Sequence, residues 1–150
     1  MTETNAIYEP WILERTRQEL PDVVEKVRAL GLTVEKINYF FGDQQERARA
    51  RRALQERGDV IVSSSLDNNL EINAPGATKG EAILRLAKHL GLSREQTMGF
   101  GDGENDMTMI HMAGIGVAMG NAVEALKAEA DYVTVTNDED GVADAIEKLL

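Results

Sequence analysis

The order of apolar and polar residues predicts an α+β layer in the first half of the chain. Apolar residues recur at helical spacing in two stretches, and β-branched and aromatic residues dominate three others. The predicted elements are a helix over residues 21–31, a strand over 34–41, a helix over 44–57, and strands over 59–65 and 69–73. Because a short turn joins the last two strands, we expect them to pair antiparallel.

The second half of the chain has a different pattern, in which strands alternate with helices. A proline and two glycines within residues 73–80 interrupt the chain, so we predict one domain over residues 1–74 and another over 75–150. The elements predicted after this break are helices over 79–90, 107–112, 122–130 and 141–150, and strands over 98–100, 114–119 and 132–136. Asn121 is the expected cap of the third helix. The alternation predicts right-handed crossovers and a parallel sheet, and thus the α/β class.

Composition and charge exclude several functions. Of 150 residues, 43% are hydrophobic, which is sufficient for a folded core, and the formal net charge of −10 argues against nucleic-acid binding as the main activity. With no cysteine, thiolate catalysis and cysteine-based zinc sites are excluded. Neither a signal peptide nor a membrane-spanning stretch is predicted, so a cytoplasmic protein is expected.

The stretch over residues 97–110 concentrates oxygen ligands after a short apolar strand. Asp102 ends the predicted strand, and Glu104, Asn105 and Asp106 follow within a tight turn. Ligands bind at the carboxyl ends of parallel strands, and Mg²⁺ prefers carboxylate oxygens. These residues therefore predict a magnesium site, although a turn followed by a helix cap would have the same composition.

Basic residues raise two further possibilities. Lys79 stands at the start of a predicted helix, where the helix dipole favours anions, so it could bind a phosphate together with the backbone N–H groups or be a solvated loop lysine. The helix over residues 44–57 carries five arginines between Arg47 and Arg57. An arginine-rich helix with Ala and Leu on its inner face usually presents a solvated surface, which is the interpretation adopted for it.

Four ordered motifs together resemble the C-terminal half of the haloacid dehalogenase-like superfamily, in particular the Cof-type sugar-phosphate phosphatases. They are Asn73-Ala-Pro-Gly-Ala-Thr-Lys-Gly80, Gly101-Asp-Gly-Glu-Asn-Asp-Met107, Gly116-Val-Ala-Met-Gly-Asn-Ala122 and Glu139-Asp-Gly-Val142. The resemblance implies part of a Rossmann-like parallel sheet with a partial α+β cap domain. It also implies hydrolysis of small phosphorylated metabolites, such as sugar phosphates, in a Mg²⁺ site.

The resemblance also implies roles for individual residues. Lys79 looks like the lysine that binds the phosphoryl oxygens and steadies the nucleophile, and Asn105 like the residue that contacts phosphate. Asp102 looks like the ligand of the metal and Asp106 like the second acidic residue behind it, so Lys79 and Asp106 are the expected catalytic residues. A metal and an ammonium would offset the charge that develops on a phosphoryl group.

One family feature has no counterpart in this sequence. The family's nucleophile lies in an N-terminal Asp-x-Asp-Gly-Thr, whereas the similar Asp138-Glu-Asp-Gly141 aligns with a C-terminal motif. We therefore expect a truncated phosphatase with little or no activity of its own, or alternatively a non-catalytic module that binds phosphate and Mg²⁺ or a partner. Loss of the strand expected beside residues 98–100 would leave an open sheet edge, which predicts a homo-oligomer, for example a strand-swapped one.

Overall fold

The computed structural model describes residues 22–150, and the part of the predicted first domain before residue 22 lies outside this range. Residues Glu35–Leu150 form one compact unit, and the described residues before them, 22–34, are assigned to another. In that segment helix α1 spans Val23–Ala29. Asp22 caps it by accepting a hydrogen bond from the Glu25 N–H at 2.9 Å, and Gly31 follows with φ of 60°. Residues with a Cβ atom rarely adopt this left-handed conformation, whereas glycine adopts it readily.

The first part of the compact unit is an antiparallel sheet covered by one helix. Strands β1 (Lys36–Phe40), β2 (Ile61–Ser63) and β3 (Asn69–Asn73) have the order β1-β3-β2. Helix α2 (Gln44–Arg57) contacts β2 and β3 and has the predicted bounds. The register places Asn38 and Ser63 opposite Glu71, so these three side chains lie on one face of the sheet.

The second part contains the predicted parallel sheet and confirms the α/β class. Its strands β4 (Met98–Gly101), β5 (Ile115–Ala118) and β6 (Tyr132–Val133) follow one another in that order. The accompanying helices are α3 (Lys79–His89), α4 (Met107–Met112), α5 (Glu124–Glu129) and α6 (Gly141–Leu149). Within residues 22–150, β4 pairs on one side only and is an edge strand. The predicted domain boundary at residue 74 falls between the two sheets and stays a prediction.

The N-terminus of α3 is held close to α4. A Cβ atom at Gly80 would overlap the Thr108 carbonyl oxygen and lie 2.6 Å from the Met112 sulfur, so only glycine permits this approach. The Gly80 N–H also donates to Thr108 Oγ1 at 3.2 Å. This contact brings Lys79 beside the loop that precedes α4.

Several predicted elements are shorter in the structure, among them the strand predicted over residues 59–65, which spans Ile61–Ser63. The helix predicted over residues 122–130 is shorter, because it begins at Glu124 after Val123, and the expected cap Asn121 is wrong. The strand predicted over 132–136 is also shorter and ends at Val133, although the Thr134 N–H still donates to the Ala118 carbonyl oxygen at 3.0 Å. Among the described helices, none has the length and apolar character needed to cross a membrane. A cytoplasmic location stays a prediction.

Candidate functional site

The loop after β4 is built around the side chain of Asp106. Its Oδ2 accepts hydrogen bonds from the backbone N–H groups of Asp102 at 2.9 Å and Gly103 at 3.1 Å. A Cβ atom at Gly101 would overlap the Cβ of Asp106, so the glycine at the end of β4 leaves the space that this side chain occupies. Asp106 therefore fixes the backbone conformation of the loop from its inner side.

Lys79 reaches the same carboxylate from the start of α3. Its Nζ contacts Asp106 Oδ1 in an ion pair between a carboxylate that is 5% exposed and a lysine side chain that is 50% exposed. The structure thus brings Lys79 and Asp106 together, although 27 positions separate them in the sequence. Half of the lysine side chain remains accessible to solvent.

The Asp106 carboxyl group is held in its charged form. Burial by itself would raise its pKa, but the Lys79 ammonium and the backbone N–H groups of Asp102 and Gly103 outweigh this effect. The net result is a pKa below the ordinary value for aspartate. Near neutral pH this residue therefore presents a fixed negative charge to Lys79.

Asp102 occupies the outer side of the loop, where its side chain is exposed. Its Oδ2 lies 3.4 Å from Asn121 Nδ2, and Asn121 Oδ1 accepts from the Asn137 N–H at 3.1 Å. The Asp102 carbonyl oxygen also accepts from the Val123 N–H at 2.9 Å. Asn121 was missed as a site residue, since the sequence signal of an asparagine before a helix pointed to a cap.

A cleft of about 470 Å³ separates this loop from the antiparallel sheet. This volume is in the range of small-molecule sites in proteins. One wall includes Thr78, Lys79, Asn105 and Thr108, and the opposite wall includes Lys36, Ser63, Glu71 and Asn73. Two of the predicted site residues, Lys79 and the half-buried Asn105, line the cleft. Asp106 lies behind Lys79, and Asp102 lies at the exposed end of the same loop.

The loop fits Mg²⁺ through the carboxylate of Asp102, because that of Asp106 is already hydrogen-bonded. Residues 22–150 contain no group of three or more His, Cys, Asp or Glu side chains arranged to hold a metal. Both carboxylate oxygens of Asp106 already accept hydrogen bonds, whereas Asp102 is exposed at the strand end. Mg²⁺ commonly takes one or two carboxylates besides waters and substrate phosphate oxygens, and the exposed Asp102 can supply one such carboxylate. Metal binding by Asp102 and Asp106 stays a prediction.

Two arginines of the arginine-rich helix α2 form hydrogen bonds near this site. Arg51 in α2 donates to Glu104 through both terminal nitrogens, and Nη1 lies 3.1 Å from Oε2. Arg47 donates to the Asn69 carbonyl oxygen at 3.0 Å and to Ser64 Oγ at 2.5 Å. The prediction of a solvated face is therefore wrong for these two arginines, which lie one helical turn apart and point inward.

The sequence profile of the haloacid dehalogenase-like hydrolases matches residues 3–146, so the chain belongs to this family. The family resemblance predicted from the four motifs is thereby confirmed.

Individual relatives agree with this assignment. A 5-amino-6-(5-phospho-D-ribitylamino)uracil phosphatase, YcsE of Bacillus subtilis, is 40% identical over 111 residues, which are 74% of this chain and 45% of the relative. Phosphatase YwpJ of Bacillus subtilis is 45% identical over 111 residues, 74% of this chain and 38% of the relative. The chain thus spans less than half the length of these two relatives.

Solved structures give the same result for the fold. A haloacid dehalogenase-like hydrolase from B. subtilis has 40% identity and a TM-score of 0.74, over 77% of this chain and 41% of that one. A sugar phosphatase of the family's subclass IIB has 35% identity and a TM-score of 0.71, over 81% of this chain and 45% of that one.

Proposed function

We propose that the chain carries the phosphate- and metal-binding part of a Mg²⁺-dependent phosphatase site for small phosphorylated metabolites such as sugar phosphates. The observation that carries the proposal is the position of the Lys79 ammonium beside the loop 102–106 at the wall of a cleft. The similarity to phosphatases of small phosphorylated compounds supports the substrate class.

Lys79 is the proposed phosphate-binding residue. Its ammonium has three donors, one of which points to Asp106, and its side chain is half exposed, so other donors remain for phosphoryl oxygens. Asn105 lines the cleft beside it and would add an amide donor. Asp106 would orient the lysine through the ion pair.

Asp102 is the proposed carboxylate ligand of the metal. Asp106 would act behind it by fixing the loop backbone, and Asn121 would orient the Asp102 carboxylate through the contact at 3.4 Å. A bound Mg²⁺ would supply charge neutralisation to the phosphoryl oxygens.

We further propose that the chain by itself has little or no turnover, because its sequence contains no Asp-x-Asp-Gly-Thr. A non-catalytic module that binds phosphate and Mg²⁺ is the alternative that the same residues allow. Among residues 22–150, β4 is an edge strand, and this supports the proposal of a homo-oligomer because an unpaired edge favours association. Light scattering that gives the mass of a single chain would contradict this association.

Thermal unfolding with Mg²⁺ and inorganic phosphate tests the binding proposal. A ligand that binds the folded state raises the melting temperature, so we expect an increase that Lys79→Met and Asp102→Asn reduce. Lys88→Met is the matched control, because Lys88 lies at the other end of α3. Equal increases in all four proteins would contradict the proposed site.

Hydrolysis of p-nitrophenyl phosphate tests the proposal of low turnover. We expect a rate close to that of buffer with Mg²⁺. Robust hydrolysis that Asp102→Ala abolishes would mean that the chain has a nucleophile other than the family's N-terminal aspartate.

A further inference from the structure

A short helical turn after β6 contacts the side chain that faces Asp102. This turn, called the 137–139 turn below, spans Asn137–Glu139. The backbone N–H of Asn137 donates to Asn121 Oδ1 at 3.1 Å, and Asn121 Nδ2 lies 3.4 Å from Asp102 Oδ2. Two consecutive contacts through one amide group therefore connect the turn to the loop after β4.

The contact with Asn137 determines which end of the Asn121 amide faces Asp102. A side-chain amide has an oxygen that accepts hydrogen bonds and a nitrogen that donates them. Because the oxygen accepts from a backbone N–H, the nitrogen is the end that remains for the carboxylate. A rotated amide would instead place its oxygen beside the negatively charged oxygens of Asp102 and would repel them.

Close packing holds the 137–139 turn against the segment that contains Asn121. A Cβ atom at Gly120 would lie 2.8 Å from the Thr136 nitrogen, so the approach requires a glycine. The Gly120 N–H also donates to the Val135 carbonyl oxygen at 3.0 Å, and a Cβ atom at Gly141 would overlap that same oxygen. Two of the four sequence motifs thus supply the glycines that bring the turn to Asn121.

The turn keeps its shape through its own hydrogen bonds. The N–H and the hydroxyl of Thr136 donate to Glu139 Oε2 at 3.2 and 2.7 Å. The Thr136 carbonyl oxygen accepts from the N–H groups of Glu139 at 3.1 Å and Gly141 at 3.0 Å. The Asn137 N–H donates to Asn121 instead, so its removal costs none of these bonds.

Asp102 is held both at its backbone and at its side chain. Its carbonyl oxygen accepts from the Val123 N–H at 2.9 Å, and Asn121 contacts one of its two carboxylate oxygens. Mg²⁺ requires nearly ideal octahedral geometry, whereas Ca²⁺ accepts irregular arrangements of its ligands. A carboxylate that is held in one orientation therefore benefits Mg²⁺ more than it benefits Ca²⁺.

We propose that the 137–139 turn positions Asp102 for the metal, and that the backbone N–H of Asn137 does so by fixing the amide of Asn121. The inference rests on the proposed function, in which Asp102 is the carboxylate ligand of Mg²⁺. Asn137 is a positioning residue, because it acts on Asp102 only through Asn121.

Asn137→Pro removes the N–H that contacts Asn121, and the turn can accommodate the change. Asn137 is the first residue of the helical turn, a position that suits proline, and Thr136 before it has φ of −70° and ψ of 166°, as a residue before proline requires. Calorimetric titration of the full chain with Mg²⁺ alone should show about tenfold weaker binding, the effect of losing a partner of a metal ligand. Titration with Ca²⁺ alone should show a smaller loss.

Asn137→Ala separates the effect of the backbone from that of the side chain. It removes the side-chain contact with Asp138 Oδ1 at 3.1 Å and keeps the N–H, so it should bind Mg²⁺ as tightly as the unchanged chain. Should Asn137→Pro fail to fold, Asn121→Leu provides the test, because Asn121 is exposed and the change removes the whole amide. It should also weaken Mg²⁺ binding more than Ca²⁺ binding.

The outcomes distinguish this inference from the proposed function. Absence of Mg²⁺ binding by the unchanged chain would overturn the proposed metal site and the inference with it. Equal Mg²⁺ affinities of Asn137→Pro and Asn137→Ala would overturn the inference alone, as would Mg²⁺ binding that Asn121→Leu leaves unchanged. Equal losses for Mg²⁺ and Ca²⁺ would also overturn it, because the turn would then only stabilise the fold.

Discussion

The two walls of the cleft contain the same pair of groups in different surroundings. On each wall a half-exposed lysine contacts a carboxylate that is nearly buried: Lys79 and Asp106 at 50% and 5%, and Lys36 and Glu71 at 49% and 9%. Asp106 belongs to a loop that folds around it, whereas Glu71 stands in the middle of a regular strand. The comparison teaches that two similar pairs can be held in different ways, one by backbone N–H donors of a loop and the other by a strand and a side-chain hydroxyl.

The largest expected effect concerns the space around Asp106. Gly101→Ala places a Cβ atom where the Asp106 side chain lies, so we expect the free energy of unfolding to fall by about 1–3 kcal/mol. Denaturant unfolding measures this change. Gly42→Ala is the control, because a Cβ atom there would meet nothing within 4 Å. A loss at Gly101 no larger than the control would mean that the loop does not depend on this close fit.

The next effect separates the two lysines. Lys36→Met leaves Glu71 with the Ser65 hydroxyl alone, whereas Lys79→Met leaves Asp106 with two backbone N–H donors. Both effects should be small, because both lysines are half exposed. We expect the free energy of unfolding to fall by about 1 kcal/mol for Lys36→Met and by less for Lys79→Met, because the backbone donors remain at Asp106. Urea unfolding of both variants measures the difference. The reverse order would show that the backbone donors do not compensate for the missing ammonium.

Acid should reduce the stabilising contributions of both Asp106 and Glu71 to the free energy of unfolding. The pKa values of Asp106 and Glu71 are lowered in the folded chain, so the unfolded chain binds more protons as the pH falls. In the unfolded chain the pKa is about 3.9 for an aspartate and about 4.3 for a glutamate. The stabilising contribution of each carboxylate is complete above its unfolded pKa and is lost as the pH falls through its lower folded pKa.

The variants Asp106→Asn and Glu71→Gln isolate these contributions. Unfolding free energies measured from neutral pH down to about pH 3 should fall less steeply in each variant than in the unchanged chain. A slope that neither substitution alters would assign the acid sensitivity to other carboxylates.

The smallest expected effect concerns the ion pair that links helix α2 to the loop 102–106. Arg51→Met removes both hydrogen bonds to Glu104, and for a partly exposed pair we expect a loss of about 0.2–1 kcal/mol that decreases at high salt. Arg52→Met serves as the control, since Arg52 is exposed on the same helix. Equal losses for the two variants at low salt would contradict a link through Arg51.

The sequence alone determined the order of elements, the α/β class and the loop that carries Asp102, Asn105 and Asp106. Periodicity and short-range spacing encode these features, because each depends on residues a few positions apart. The bounds of α2 followed for the same reason.

Only the tertiary structure decided which distant side chains meet. Asp102 and Asn121 are separated by 19 positions, Lys36 and Glu71 by 35, and Arg51 and Glu104 by 53. Strand register places Glu71 on the face toward the cleft, and the close approach at Gly80 brings Lys79 to Asp106. Such contacts depend on how whole elements pack together, and the local pattern of apolar and polar residues does not specify that packing.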